Sequence, residues 1–208
     1  MIRTIFKELK NHAPYTLMGA LIGILIAVLL KNISESLTFK LFYVFHPLHV
    51  LLGAFITTSM YKLHKKNPNI IKVFLVGFIG SIGVASLSDS ILPFIGETIL
   101  HFPHRELHLG FIEKWYIVNP IAILGVILAT KKPFTKLPHS LHIFISTSAS
   151  LLHVMMSISG VVINIALYFM IVFLLFLSVW LPCCFSDIVL PLLFASDEKI
   201  KHCSCCKL

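Results

Sequence analysis

Stretches of about 20 residues that are almost wholly apolar recur along this chain, and a helix of about that length crosses roughly 30 Å of hydrocarbon. The runs fall near 13–30, 41–61, 70–95, 115–130, 138–158 and 161–181, the fourth being the shortest. Of the 208 residues, 57% are hydrophobic and 12% charged, and the mean hydropathy is +0.92. A soluble domain carries about 25% charged residues. Nothing is left over for such a domain once the runs are removed. The expected fold is therefore all-α, a polytopic transmembrane helical bundle of about six spans, with the lipid bilayer as its first partner. The stretch "MIRTIFKELKNHAPYTLMGALIG" has a charged start and an apolar run but no A-x-A cleavage pattern, so the run reads as the first span. The sixth run continues past Pro182 to about Ala195. Residues 183–195 are too few to cross alone. They read either as a kinked continuation or as a half-helix returning to the interface.

The formal charge of +8 invites a nucleic-acid reading, but the basic residues sit in short connections between apolar runs. Topology explains them better, and no nucleic-acid partner is expected. Thirteen of the 17 basic residues fall in segments that share a side if the N-terminus is inside, and only Lys31, Lys40, Arg105 and Lys114 fall opposite. Both termini are expected to be cytoplasmic, in a bacterial inner membrane or an organelle membrane. The five cysteines suggest reduced thiols. Cys183 and Cys184 are adjacent in an apolar segment, and Cys203, Cys205 and Cys206 crowd the last six residues, too close for unstrained mutual bridges.

Two short patterns occur twice and in the same order. "HPLHVLL" at 46–52 matches "HSLHIFI" at 139–145, and "SDSILP" at 88–93 matches "SDIVLP" at 186–191. The chain thus reads as two three-helix units, 1–110 with the outer connection and 111–195, followed by a Cys/His-rich tail at 196–208. Three is odd, so the second unit enters the membrane from the opposite side, the inverted repeat found in many secondary transporters.

Residues three apart share a helix face. His46 and His49 can therefore address one centre, as can His139 and His142. A carboxylate completes a common ligand set for zinc, iron or manganese. Helices two and three of each unit run antiparallel across a short turn. Asp89 is thus expected beside His46 and His49, near the outer face, and Asp187 beside His139 and His142, near the inner face. An aspartate in hydrocarbon costs about 2.5–3.5 kcal/mol even on lenient scales, which argues for a task. Pro93 and Pro191 would free the carbonyls of Asp89 and Asp187 as further ligands. Pro47 and Pro138 read as helix-start prolines. The bland alternative is that these histidines snorkel to the interface.

Further candidates are weaker. His153 extends a polar track on helix five through His139, His142, Ser146 and Ser150, and His46, His49, Gly53 and Thr57 form a fainter one on helix two. Gly77, Gly80 and Gly83 suggest close helix packing. In the outer connection, His101, His104 and His108 with Glu97 and Glu106 read as a cation-gathering amphipathic helix or as a solvated loop. Cys203, Cys205 and Cys206 beside His202 form a soft-ligand cluster, a loose tail or an acylation site.

Three functions fit these patterns. The first is transport of a divalent transition metal ion of the zinc, iron or manganese class, coupled to protons that the metal displaces from histidine. The second is a membrane-embedded histidine-cluster metalloenzyme such as a lipid oxidase, hydroxylase or hydrolase. A split of the histidines between two faces counts against it. The third is translocation of a lipid or small solute with His and Asp as proton relays. Catalysis is the lesser expectation, and a homodimer is compatible with each. No nucleotide-binding loop or Ser-His-Asp order is present.

Overall fold

The computed structural model describes residues 2–29, 33–65, 67–134, 136–159, 161 and 164–194. Among them the chain is helical and contains no strand. The elements are α1 (Ile2–Leu29), α2 (Glu35–His64), α3 (Ile70–Ser86), α4 (Leu92–Ile99), α5 (Gly110–Glu113), α6 (Trp115–Lys131), α7 (Lys136–Ser157), α8 (Ile165–Cys184) and α9 (Leu190–Phe194). Five-residue π-helical turns, Leu87–Ile91 and Phe185–Val189, join α3 to α4 and α8 to α9. Three helical stretches are long and apolar enough to cross a membrane: Glu35–His64, Ile70–Ile99 and Ile165–Cys184. Shorter apolar helices cover Ala13–Ile26, Trp115–Lys131 and Leu141–Ser157. Large apolar side chains point outward along them. Ile165, Phe169 and Phe173 are 78%, 73% and 64% exposed, the outer stripe of a helix meant for an apolar solvent.

α2 starts earlier than the apolar pattern suggests. Ser34 caps it, its hydroxyl accepting from the Leu37 N–H, and Glu35 complements the helix dipole in the first turn. The six extra residues move His46 and His49 to the middle of the helix. Pro47 is therefore an interior proline rather than a helix-start one. It removes the hydrogen bond that its own N–H would have made to the Tyr43 carbonyl. The other half of the chain decides between the two readings of the stretch after Pro182. Beyond Pro182 the helix continues through a π-turn into α9 instead of ending, so the continuation is the form adopted.

α2 lies at the centre, against α3, α6 and α7. It runs antiparallel to α7: Phe42 meets Leu152 and Met156, while His49 and Gly53 meet His142. α1 covers α7 and α8. Gly77 and Gly80 do permit close packing, since a Cβ at Gly77 would strike the Thr58 hydroxyl and one at Gly80 would lie 2.6 Å from Leu190. Gly83 faces open space and has no such role. The connection from His101 to Leu109 is irregular instead of helical, pinned by the buried ring of Phe102. Only α5 follows it.

Candidate functional site

The π-turn of Leu87–Ile91 sets the site. At its end the Leu92 N–H reaches back to the Leu87 carbonyl, one residue further than in an α-helix. Pro93 has no N–H to offer. The Ser88 carbonyl thus loses both its α-type and its π-type donor within the helix. The Ser150 hydroxyl of α7 reaches it at 3.0 Å, and is equally close to the Ser146 carbonyl. The carbonyl that takes an outside partner is therefore that of Ser88, not that of Asp89 as the proline spacing suggested. The same logic repeats at Phe185–Val189. There the Leu190 N–H bonds the Phe185 carbonyl, Pro191 donates nothing, and Thr57 of α2 meets Ser186, hydroxyl to hydroxyl at 2.9 Å and hydroxyl to carbonyl at 3.4 Å.

Asp89 is fully buried inside the turn, and the expected pairing is present. Its Oδ2 lies 2.9 Å from His46 Nδ1 and 2.7 Å from His49 Nδ1, while the Ser88 hydroxyl donates to Oδ1 at 2.7 Å. A carboxylate oxygen only accepts, so both imidazoles donate from Nδ1. Their Nε2 atoms then carry the free lone pairs. Expected from the sequence as a ligand, Asp89 here accepts hydrogen bonds from both rings and from Ser88. Both of its oxygens are engaged, so it orients and polarises the histidines, as the outer carboxylate does in many metal sites.

His49 turns its Nε2 towards Cys183 of α8, 4.0 Å from the sulfur, and its ring lies 4.6 Å from that of His142. Ligand atoms of His49, His142 and Cys183 all fall within 4.8 Å of one another, and all three side chains are buried. In tetrahedral zinc geometry a nitrogen and a sulfur ligand stand about 3.5 Å apart. At His49 and Cys183 an adjustment of about half an ångström would reach that separation. Two imidazoles and a thiolate suit zinc, and the fourth position is open to water or an exchanging ligand. Gly53 makes room for this: a Cβ there would sit 3.3 Å from His142 Nε2. Cys183 also donates to the Ser146 hydroxyl at 3.5 Å. His46 Nε2 is buried without a hydrogen-bond partner among the described residues, and it abuts Gly110.

A second titratable pair lies beyond Phe42. His153 Nδ1 donates to Glu97 Oε1 at 2.9 Å, and both side chains are buried. They line a cavity of about 80 Å³ with Glu35, Phe39, His104, Glu106, His108 and Met156. At its rim His108 faces Glu113, which also accepts from the Tyr43 hydroxyl and the Leu109 N–H. Burial works to raise the Glu113 pKa. The Tyr43 hydrogen bond, the nearby His108 and the Leu109 N–H outweigh it and hold the carboxyl below its ordinary range.

Of the residues singled out from the sequence, the structure brings together His46, His49, Asp89 and His142. It gathers His104, His108 and His153 around the cavity. His101 stands apart, exposed, with a left-handed backbone and its Nδ1 donating to the Ile99 carbonyl. The side chains of His139 and Asp187, and all of Cys203, Cys205 and Cys206, lie outside the described residues. The expected division into two distant sets does not hold for His142, which joins His49. Sequence reasoning missed Cys183 as a member of the buried cluster and Glu97 as a buried acid. Compared with protein-family models, curated proteins and solved structures, the chain gives no match.

Proposed function

We propose that this chain is an integral membrane transporter of a divalent transition metal, with zinc favoured over iron or manganese by the cysteine. His49, His142 and Cys183 bind the ion, and the His46–Asp89–His49 network fixes the ring of His49 and takes up protons that the metal displaces. The observation that carries this reading is the convergence of those three ligand-type side chains, buried where three apolar helices meet. Buried ionisable groups within spanning helices mark ion pathways by default.

The symmetry of the polar contacts supports transport over static binding. Thr57 stands eight residues after His49, and Ser150 eight residues after His142. Each meets the π-turn serine belonging to the other half of the chain. Two inverted three-helix repeats whose second helices cross antiparallel would make this exchange, and such repeats supply two alternative openings around one central site. The basic connections favour six spans with both termini in the cytoplasm. π-Turns, which recur at functional sites, would serve as the places where each half flexes.

One observation favours a second reading. With His49 and His142 in a single cluster, the main objection to a membrane metalloenzyme falls away. Proteoliposomes holding a zinc-sensitive dye separate the two. Transport predicts zinc flux that is lost in Cys183→Ala and His142→Ala. Stoichiometric zinc on the purified protein with no flux in any liposome would sink the transport reading and leave the enzyme.

A further inference from the structure

We infer that the cavity beside Glu97 and His153 is a second divalent-cation site, taking the ion with part of its water shell. The inlet role of this site rests on the transport reading, but cation binding there stands on its own geometry. Glu97 is 0% and His153 1% exposed, yet Glu97 Oε2 and His153 Nε2 have no hydrogen-bond partner among the described residues. Both residues line the cavity. In its neutral form His153 donates from Nδ1 to Glu97 Oε1, and its Nε2 then carries a lone pair open to a proton, a donor or a metal. A carboxylate oxygen and an imidazole lone pair thus line one partly open cavity. Buried polar atoms are rarely left unmatched.

The remaining wall has the same character. Glu35, Glu106, His104 and His108 supply oxygen and nitrogen donors. No lysine or arginine is among the described lining residues, although the chain as a whole carries a formal charge of +8. The His108 ring stands 5.7 Å from that of His153, and its Nε2 is 3.7 Å from Glu106 Oε2. The donors are spread around the space rather than closed on one point. A volume of about 80 Å³ has room for an ion together with water, since about 10–15 Å³ of such space holds one water molecule. Partial hydration therefore fits, and full dehydration is left to the His49, His142 and Cys183 set.

The cavity is joined to the His46–Asp89–His49 network through one ring. Phe42 is fully buried, 5.7 Å from the His153 ring and stacked 5.3 Å from that of His46.

Cobalt(II), added to the purified full-length chain in detergent, tests the inference because its spectrum reports its ligands. Cobalt in the cavity meets no thiolate and gives d–d absorption without thiolate charge transfer. Cobalt on Cys183 adds thiolate charge transfer in the near ultraviolet. Wild-type protein should bind both kinds. Glu97→Gln keeps an oxygen to accept from His153 but loses the charge. It should weaken the nitrogen/oxygen-bound equivalent by about tenfold or more and leave the charge-transfer band intact. The double change His104→Ala, His108→Ala, placed on an irregular connection, should weaken the same equivalent without disturbing the helices. Cobalt that binds only with the charge-transfer band, or a nitrogen/oxygen equivalent unmoved by both variants, would overturn the inference. Loss of the charge-transfer band alone, in wild type, would instead remove the central site and leave the cavity standing.

Discussion

Removing Asp89 is the sharpest probe of the centre, because three donors depend on its two oxygens. In Asp89→Ala the Ser88 hydroxyl has an alternative, since the Ala85 carbonyl lies 3.4 Å away. The Nδ1–H groups of His46 and His49 have no second acceptor in the hydrogen bonds that the structure shows. Each orphaned buried donor costs about 1–3 kcal/mol, so the variant should lose about 2–6 kcal/mol. Asp89→Asn behaves differently. Its carbonyl oxygen can face the two histidines while its NH2 donates to the Ser88 hydroxyl. All three contacts survive, and only the charge assistance is lost, about 1 kcal/mol for each histidine. The expected order is wild type, then Asn lower by about 2 kcal/mol, then Ala. Equilibrium unfolding in mixed detergent micelles measures it. Zinc affinity should also fall about 10–100-fold in Asp89→Asn, where the geometry is kept but His49 is less basic. An alanine variant within about 0.5 kcal/mol of wild type, or an asparagine variant less stable than alanine, would refute the proposed hydrogen-bond network.

Two further outcomes are expected. Thr57→Val and Ser150→Ala each remove a hydroxyl partner from a π-turn serine, and each should lower stability by about 1 kcal/mol in the same unfolding assay. A loss confined to one of them would contradict the equivalence of the two contacts. At Gly110 a Cβ would fall 2.6 Å from His46 Nε2. Gly110→Ala should therefore destabilise by about 1–3 kcal/mol, and adding His46→Ala should relieve the crowding; additive losses in the double variant would show that the two residues do not touch.

The pairing of Asp89 with His46 and His49 was legible because it needs only two local rules. Histidines three apart share a face, and consecutive helices joined by a short turn run antiparallel. The role of Asp89 was less legible, since spacing cannot tell whether an imidazole offers Nδ1 or Nε2 to its neighbour. Glu97 was placed in the outer connection because the third apolar run reads as ending near residue 95. The π-turn before Pro93 absorbs its missing N–H and lets the helix run on to Ile99, which carries Glu97 inward. Its spacing of four from Pro93 and eight from Asp89 was the available signal, as it places all three on one face. The limits of α2 were misjudged at the N-terminal end. Polar Ser34 and Glu35 look like loop in a hydropathy plot, although they form a good cap.

Cys183 was out of reach for a different reason. Its partners come from α2 and α7, far away in the chain, and nothing in an apolar stretch with adjacent cysteines says which one faces inward. The repeat does hold a partial signal. Counting back from the S-D-x-x-L-P motifs, Cys183 precedes Ser186 by three residues, as Ala85 precedes Ser88. The two motif copies therefore share their backbone chemistry and differ in the side chain one turn earlier. Ala85 packs in an apolar cluster with Val50 and Val118, whereas Cys183 faces His49. If the two halves descend from one unit as proposed, the metal-type ligand arises where their equivalence breaks. His49 and His142 meet across the antiparallel helices α2 and α7, and the single thiol comes from only one side. A strictly symmetric pair would offer the ion the same environment from both directions. On the transport reading, the thiol would make the two approaches to the site chemically unequal.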